Sequence, residues 1–86
     1  MVKHVATESF WARYDALPVS TRKLADKNFN LLKHNPDHPS LHFKDVGKGL
    51  WSARAGMQYR ALAIPHNNGF AWTWIGTHAE YDRIVR

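Results

Sequence analysis

Cysteine is absent from this chain of 86 residues. Its absence excludes disulfide bonds and thiolate metal ligands. A chain this small must therefore be stabilised by its aromatic residues or by a partner. No apolar run approaches the roughly 20 residues that a membrane-spanning helix needs. The segment from Met1 to Ala6 has no hydrophobic stretch or cleavage site typical of export. We therefore expect a cytoplasmic protein with no membrane contact.

Acidic residues are missing from one long stretch. Between Val46 and Ala79 the only formal charges are those of Lys48, Arg54 and Arg60, and the whole chain carries a net charge of +5. Such a surface favours a polyanionic partner, either nucleic acid or an acidic protein.

The length and composition predict one folded domain over residues 1–86. Apolar residues recur at helical spacing from Thr7, a capping residue, to Leu17, and Pro18 ends this first helix. A second helix follows, for which Ser20 or Thr21 is the predicted cap. The proline-containing loop 35–40 then separates the helices from the remainder of the chain.

Period-two alternation dominates the second half of the chain and predicts four strands. The predicted strands lie at Leu41–Lys44, Trp51–Ala55, Tyr59–Ala63 and Phe70–Trp74, with Phe70, Trp72 and Trp74 on one face. Val2–Val5 is a candidate edge strand, and His78–Val85 a candidate turn or helix. The expected fold is α+β, an N-terminal helical hairpin packed on a C-terminal antiparallel sheet of about four strands.

The turn between the second and third strands decides whether Arg54 and Arg60 share a face. If the turn centres on Met57, the two arginines lie directly opposite each other, with Ser52 on the same face. A two-residue loop of Met57 and Gln58 would break this pairing. Because like charges across a strand pair repel, a paired arrangement indicates an anion between them. The alternative is two separately solvated arginines.

His78 and Tyr81 follow the last strand. Histidine titrates near neutrality, as proton transfer in phosphodiester cleavage requires, and tyrosine can stack on a base or bind a phosphate. A structural alternative is that His78 caps a turn and Tyr81 completes the core. His34, His38 and His42 are evenly spaced, but the intervening prolines prevent a common helical face, so we expect no metal site there.

The order of these elements resembles the RelE/ParE superfamily of toxins from type II toxin–antitoxin systems, with the RelE-like branch favoured. The resemblance spans nearly the whole chain and rests on Leu31–Pro36, Ser40–Leu41, Trp51–Gly56, Tyr59–Arg60, Ile75–His78 and Tyr81. It implies a ribosome-dependent messenger-RNA endonuclease in which the 2′-hydroxyl attacks the adjacent phosphate, with no metal and no cofactor.

The resemblance also implies roles for individual residues. Arg60 corresponds to the arginine that stabilises the transition state, and Arg54 to a basic residue on the neighbouring strand. His78 lies near the terminal acid, and Tyr81 near the tyrosine that stacks on or orients the substrate. These four are the expected catalytic residues.

One departure from the family pattern leaves the general base unassigned. Ser52 occupies a position where RelE-like enzymes carry a lysine, and Lys44, Lys48 or His42 could serve if they fold over the same face. The expected substrate-binding residues are Lys44, Lys48 and Ser52.

The implied partners are a cognate antitoxin, whose acidic segment covers the helices and the basic face, together with the ribosome and messenger RNA. Two alternatives remain open at this stage. One is a ParE-like poison of DNA gyrase without nuclease activity, and the other is a non-toxic antitoxin-binding module.

Overall fold

A computed structural model describes residues 2–86 of the protein. In chain order its elements are β1 (Lys3–Ala6), α1 (Glu8–Asp15), α2 (Val19–His34), a 3₁₀ turn (Pro39–Leu41), β2 (Lys44–Gly47), β3 (Leu50–Arg54), β4 (Tyr59–His66), β5 (Gly69–Thr77) and α3 (His78–Val85). None of the helices formed by residues 2–86 is long and apolar enough to cross a membrane.

The two N-terminal helices form as predicted, but the second begins earlier than expected. The hydroxyl of Thr7 accepts a hydrogen bond from the main-chain N–H of Phe10 and caps α1. Helix α2 begins directly after Pro18, with no side-chain cap. The prediction that Ser20 or Thr21 caps α2 is therefore wrong. The ring of Pro18 ends the preceding segment but leaves the chain after it free to enter the helix at once.

The sheet has five strands in the order β1-β5-β4-β3-β2. The four-stranded antiparallel meander predicted for β2 to β5 is confirmed. The N-terminal edge strand is also present, and it pairs parallel to β5. The sheet is therefore mixed, with one strand more than the four expected, and the α+β architecture is as predicted.

The first predicted strand is displaced by three residues. Leu41 ends the 3₁₀ turn, His42 adopts a left-handed backbone conformation with φ of 46°, and β2 begins only at Lys44. Leu41 is still almost fully buried at 1% exposure. The alternation of Leu41 and Phe43 thus reflects packing from an irregular segment, because side chains can alternate between core and solvent without strand pairing.

An irregularity in β5 changes which face its aromatic residues occupy. Leu62 pairs with Trp74, but the next residue, Ala63, pairs with Trp72, so Thr73 is an extra residue on β5. Such a bulge reverses the side-chain alternation on its strand. Trp72 therefore packs in the core, and Trp74 lies on the opposite face, contrary to the prediction that the two share a face.

The core lies between α1, α2 and one face of the sheet, and α3 packs on the other face. Small residues dominate the sheet side of this core. Its buried members are Leu32, Leu41, Ala53, Ala55, Ala61, Ala63, Trp72 and Ile75.

His4 joins the edge strand to the core through its imidazole. The indole N–H of Trp72 donates to Nδ1 of His4 at 3.0 Å, and the His4 ring stacks on Phe70 with centroids 5.9 Å apart. A ring nitrogen that accepts this bond carries no proton, so the folded state favours the neutral imidazole. Burial, and then the charge of Lys33, lowers the pKa of His4 below its ordinary value of 6.5.

We expect His4 to make the stability depend on pH. Because the folded-state pKa is lowered, the unfolded chain binds the proton first as the pH falls. The stabilisation is complete above about pH 6.5 and is lost as the pH falls toward the folded-state pKa. His4→Asn keeps an acceptor oxygen near the Nδ1 position but does not titrate, so it should flatten the pH dependence of the unfolding free energy between pH 5 and 7. Equal slopes for His4→Asn and the parent in urea titrations would contradict this.

Candidate active site

Two rows of side chains cross the face of the sheet that α3 covers. Residues paired directly across antiparallel strands share a face. The first row contains Lys44, Ser52, Leu62 and Trp74, and the second contains Arg54, Arg60 and Gly76. The direct pairing of Arg54 with Arg60 confirms the turn centred on Met57, in which Gly56 has a φ of 95°.

The polar atoms beneath α3 lack partners. Arg60 is only 8% exposed and its Nη1 has no hydrogen-bond partner, and Nε of Arg54 is likewise buried without one. Ser52 is fully buried with an unpartnered hydroxyl. Within residues 2–86 neither arginine forms an ion pair. Buried donors without acceptors are costly, and guanidinium nitrogens of this kind form strong hydrogen bonds with anions.

Helix α3 brings Tyr81 and His78 to the same face. The ring of Tyr81 lies 5.2 Å from the guanidinium carbon of Arg60, and the rings of His78 and Tyr81 are 5.9 Å apart. Nδ1 of His78 lies 3.2 Å from a carboxylate oxygen of Asp82, and about half of the His78 side chain is exposed. The sequence-predicted residues Arg54, Arg60, His78 and Tyr81 are thus joined by pairing or contact on one face.

A capping box and a salt bridge from α1 hold the first turn of α3. The hydroxyl of Thr77 accepts from the main-chain N–H of Glu80, and the Glu80 carboxylate accepts from the N–H of Thr77. Arg13 of α1 bonds Glu80 at 3.1 Å and stacks over Trp74 at 4.9 Å. Hydrogen bonds from Thr77, and then Arg13, lower the pKa of Glu80. Sequence reasoning missed this cluster, although threonine and glutamate three residues apart are the usual signal of a capping box.

Lys48 lies away from the paired arginines. It occupies the β2–β3 turn, and its Nζ donates to the main-chain oxygen of Arg86 at 3.1 Å. Arg54 is at the other end of β3, roughly 13 Å along the strand. Lys48 therefore holds the end of α3, and the structure does not bring it to the arginine pair.

Lys44, the first residue of β2, and His42, which precedes this strand, lie beside the basic rows. Lys44 pairs with Ser52 at the start of β2. His42 lies two residues before β2, at the end of the 3₁₀ turn, and has no strand partner among residues 2–86. The charge of Arg54, followed by partial desolvation and the charges of Arg60 and Lys44, lowers the pKa of His42 below 6.5. His42 is therefore neutral at pH 7 and able to accept a proton.

Asn28 on α2 fixes the end of β3 and was also missed from the sequence. Its side-chain amide donates to the main-chain oxygen of Arg54 at 3.0 Å. Strand β2 begins at the level of Ser52, so the Arg54 carbonyl has no β2 partner. The sequence did contain a signal for this role, because Asn28 is the only amide in a helical row that otherwise contains Leu24 and Leu31.

Comparisons with known proteins find no matching family model and no matching curated protein. Solved structures do match. The RelB–RelE antitoxin–toxin complex of Methanococcus jannaschii has a TM-score of 0.70 at 13% identity, covering 92% of this chain and 96% of that chain. The YoeB/ParE toxin of Agrobacterium tumefaciens has a TM-score of 0.67 at 16% identity, covering 90% and 99%. YafQ of E. coli has a TM-score of 0.66 at 13% identity, covering 94% and 98%.

The fold is that of the RelE-like toxins. At these identities the likeness concerns the fold alone, and it agrees with the architecture that the sequence resemblance implied. In this RelE-like fold, the basic face under α3 contains the residues that the resemblance selected, and their chemistry must be judged from the geometry described above.

We expect Arg54→Gln to raise the pKa of His42 toward 6.5, because Arg54 is the largest cause of its lowering. Lys44→Gln should raise it less. The measurement is an NMR titration of the His42 ring protons, which requires no activity. Arg83→Gln, on the exposed side of α3, serves as the matched charge-removal control and should leave the titration unchanged. An unaltered His42 titration in Arg54→Gln would show that the two side chains are not neighbours.

Loss of the Thr77 cap should destabilise the protein by about 1 kcal/mol, the usual contribution of an N-cap hydroxyl. Thr77→Ala removes the acceptor for the N–H of Glu80, whereas Thr77→Ser keeps it. Urea unfolding of both variants measures the difference. Equal stability of the alanine and serine variants would show that the capping box does not anchor α3.

Proposed function

We propose that this protein is the toxin of a toxin–antitoxin pair and that it cleaves messenger RNA on the ribosome without a metal ion. The observation that carries the proposal is the direct pairing of Arg54 with Arg60, with buried, unpartnered guanidinium nitrogens on one face. Guanidinium groups bind phosphate through forked hydrogen bonds. A phosphodiester between the two arginines would satisfy these donors.

His42 is our candidate for the general base. Removal of the 2′-hydroxyl proton needs a neutral acceptor near the phosphate, and the neighbouring cations keep His42 unprotonated at neutral pH. Lys44, the other nearby candidate, pairs with Ser52 on the same face. It is better suited to binding the RNA backbone.

The two arginines stabilise the charge that develops on the phosphoryl oxygens after the attack. Arg60 is in place before the substrate binds, since the ring of Tyr81 lies over its guanidinium, and Asn28 fixes the main chain from which Arg54 extends. Groups placed in advance stabilise a transition state with little reorganisation.

His78 serves as the general acid. The Asp82 carboxylate accepts a hydrogen bond from Nδ1–H of His78, so that a proton on Nε2 is the one directed to the departing 5′-oxygen. The products are a 2′,3′-cyclic phosphate and a free 5′-hydroxyl. Every proton in this scheme is carried by a side chain of the chain itself.

A protein antitoxin is the partner we propose. The M. jannaschii and Pyrococcus horikoshii structures with this fold are RelB–RelE complexes, and the E. coli DinJ–YafQ complex also has this fold. The excess of basic residues, net +5, favours an acidic partner segment.

Expression without an antitoxin should arrest growth, and mapped transcripts should show cuts within translated codons. Arg60→Ala and His78→Ala should each lower cleavage by about 100-fold or more, because each removes a group that acts in the transition state. Lys27→Ala, an exposed change on α2, is the matched control and should retain activity.

The outcomes separate the alternative functions. Growth arrest that persists in Arg60→Ala and His78→Ala, with intact transcripts and inhibited gyrase, would replace the nuclease by a gyrase poison. If the folded parent chain is harmless when expressed, both toxic functions are contradicted, and the remaining alternative is a non-toxic module that binds an antitoxin.

A further inference from the structure

Tyr81 offers no open ring face in this structure. The residue is 7% exposed. One face lies under the guanidinium of Arg60 at 5.2 Å, and the ring of His78 lies 5.9 Å away at a tilt of 55°. A side chain that stacks on a nucleobase needs an accessible face. The stacking role implied by the resemblance therefore does not match this environment.

Arg60 needs a neighbour that stabilises its charge. Only 8% of Arg60 is exposed, and it forms no ion pair within residues 2–86. Arg54 lies directly opposite it on the neighbouring strand. A buried cation without a carboxylate is unfavourable unless another group interacts with it. An aromatic face does so through its negative electrostatic potential. Arg60 makes such a cation–π contact with the ring of Tyr81.

Tyr81 itself is well anchored. The capping box of Thr77 and Glu80 fixes the turn of α3 that precedes it, and Lys48 bonds the end of the helix through Arg86. A ring held at both ends of its helix can hold a long, flexible arginine in one conformation despite repulsion from Arg54.

We propose that Tyr81 is a positioning residue, which holds the guanidinium of Arg60 toward the phosphate and does not stack on a base of the RNA. The role in cleavage rests on the proposed function, whereas the contact between Tyr81 and Arg60 does not. If Tyr81 contacts no base, its replacement should have the same effect whatever base stands at the cleaved position.

The first test compares Tyr81→Phe with Tyr81→Leu. Phenylalanine keeps the ring face over Arg60, so kcat should stay within about twofold of the parent, whereas leucine should lower kcat by about 10-fold with little change in KM. In the Arg60→Ala background, Tyr81→Leu should cause no further loss, because the group that it positions is gone. Equal kcat for the two single variants, or fully multiplicative losses, would overturn the proposal.

The second test uses a messenger RNA with an abasic residue at each of the two nucleotides flanking the cleaved bond in turn. A positioning role predicts the same ratio of parent to Tyr81→Leu rates on the abasic and normal substrates. A stacking role predicts that the ratio falls to one where the base is missing, with the loss on normal RNA expressed mainly in KM. That result would overturn the proposal.

A readout independent of cleavage separates this inference from the proposed function. The Nε–H signal of Arg60 is assigned by its loss in Arg60→Lys. The aromatic ring should shift it upfield in the parent and in Tyr81→Phe, but not in Tyr81→Leu. Inorganic phosphate should also change its chemical shift. Circular dichroism checks folding, and Tyr81→Met replaces the leucine variant if that variant unfolds. A parent protein that shows the ring shift but cuts no RNA contradicts the nuclease and retains the contact, whereas absence of the ring shift contradicts the contact itself.

Discussion

Two like charges face each other across a pair of strands, and the rest of the basic face is organised around that unfavourable arrangement. Arg54 and Arg60 are directly paired, and Arg60 is nearly buried. Within residues 2–86 neither arginine forms an ion pair with a carboxylate, and the ring of Tyr81 over the guanidinium of Arg60 is the contact that stabilises that charge. A carboxylate would neutralise the pair and compete with an anionic ligand. The unneutralised arginine pair is therefore the feature of this packing on which the proposed phosphate chemistry rests.

The helices contribute to the site by fixing strands and by covering them. Asn28 connects α2 to the end of β3, and Arg13 connects α1 to Glu80 at the start of α3. Helices α1 and α2 thus both make contacts at the end of the sheet where Arg54 lies and α3 begins. The apolar cavity of about 210 Å³ lies on the other side, between α1, α2 and the core face. Its lining is mostly aliphatic and aromatic, so it lacks the cluster of cations that phosphate chemistry requires.

Local patterns in the sequence were sufficient to predict most of the secondary structure and the α+β architecture. Period-two alternation located β3, β4 and β5, and Gly56 identified the turn that pairs Arg54 with Arg60. The failures arose where long-range contacts override local pattern. The extra residue at Thr73 moves Trp74 to the opposite face, and its position depends on the pairing of β5 with β4. The roles of Asn28 and Arg13 depend on residues 26 and 67 positions away in the chain, which no local pattern specifies.

The position of Ser52 shows how neighbouring strands can compensate for each other. RelE-like enzymes resembling this chain carry a lysine there, and a buried serine supplies no charge. Lys44 pairs directly with Ser52, so β2 brings a cation to the same row of the same face. The turn that precedes β2 places His42 close enough to Arg54 for the charge of Arg54 to lower its pKa. The start of β2 thus supplies the positive charge, and the turn before it supplies the imidazole, so both the register of β2 on β3 and the conformation of that turn determine which groups lie beside the arginines.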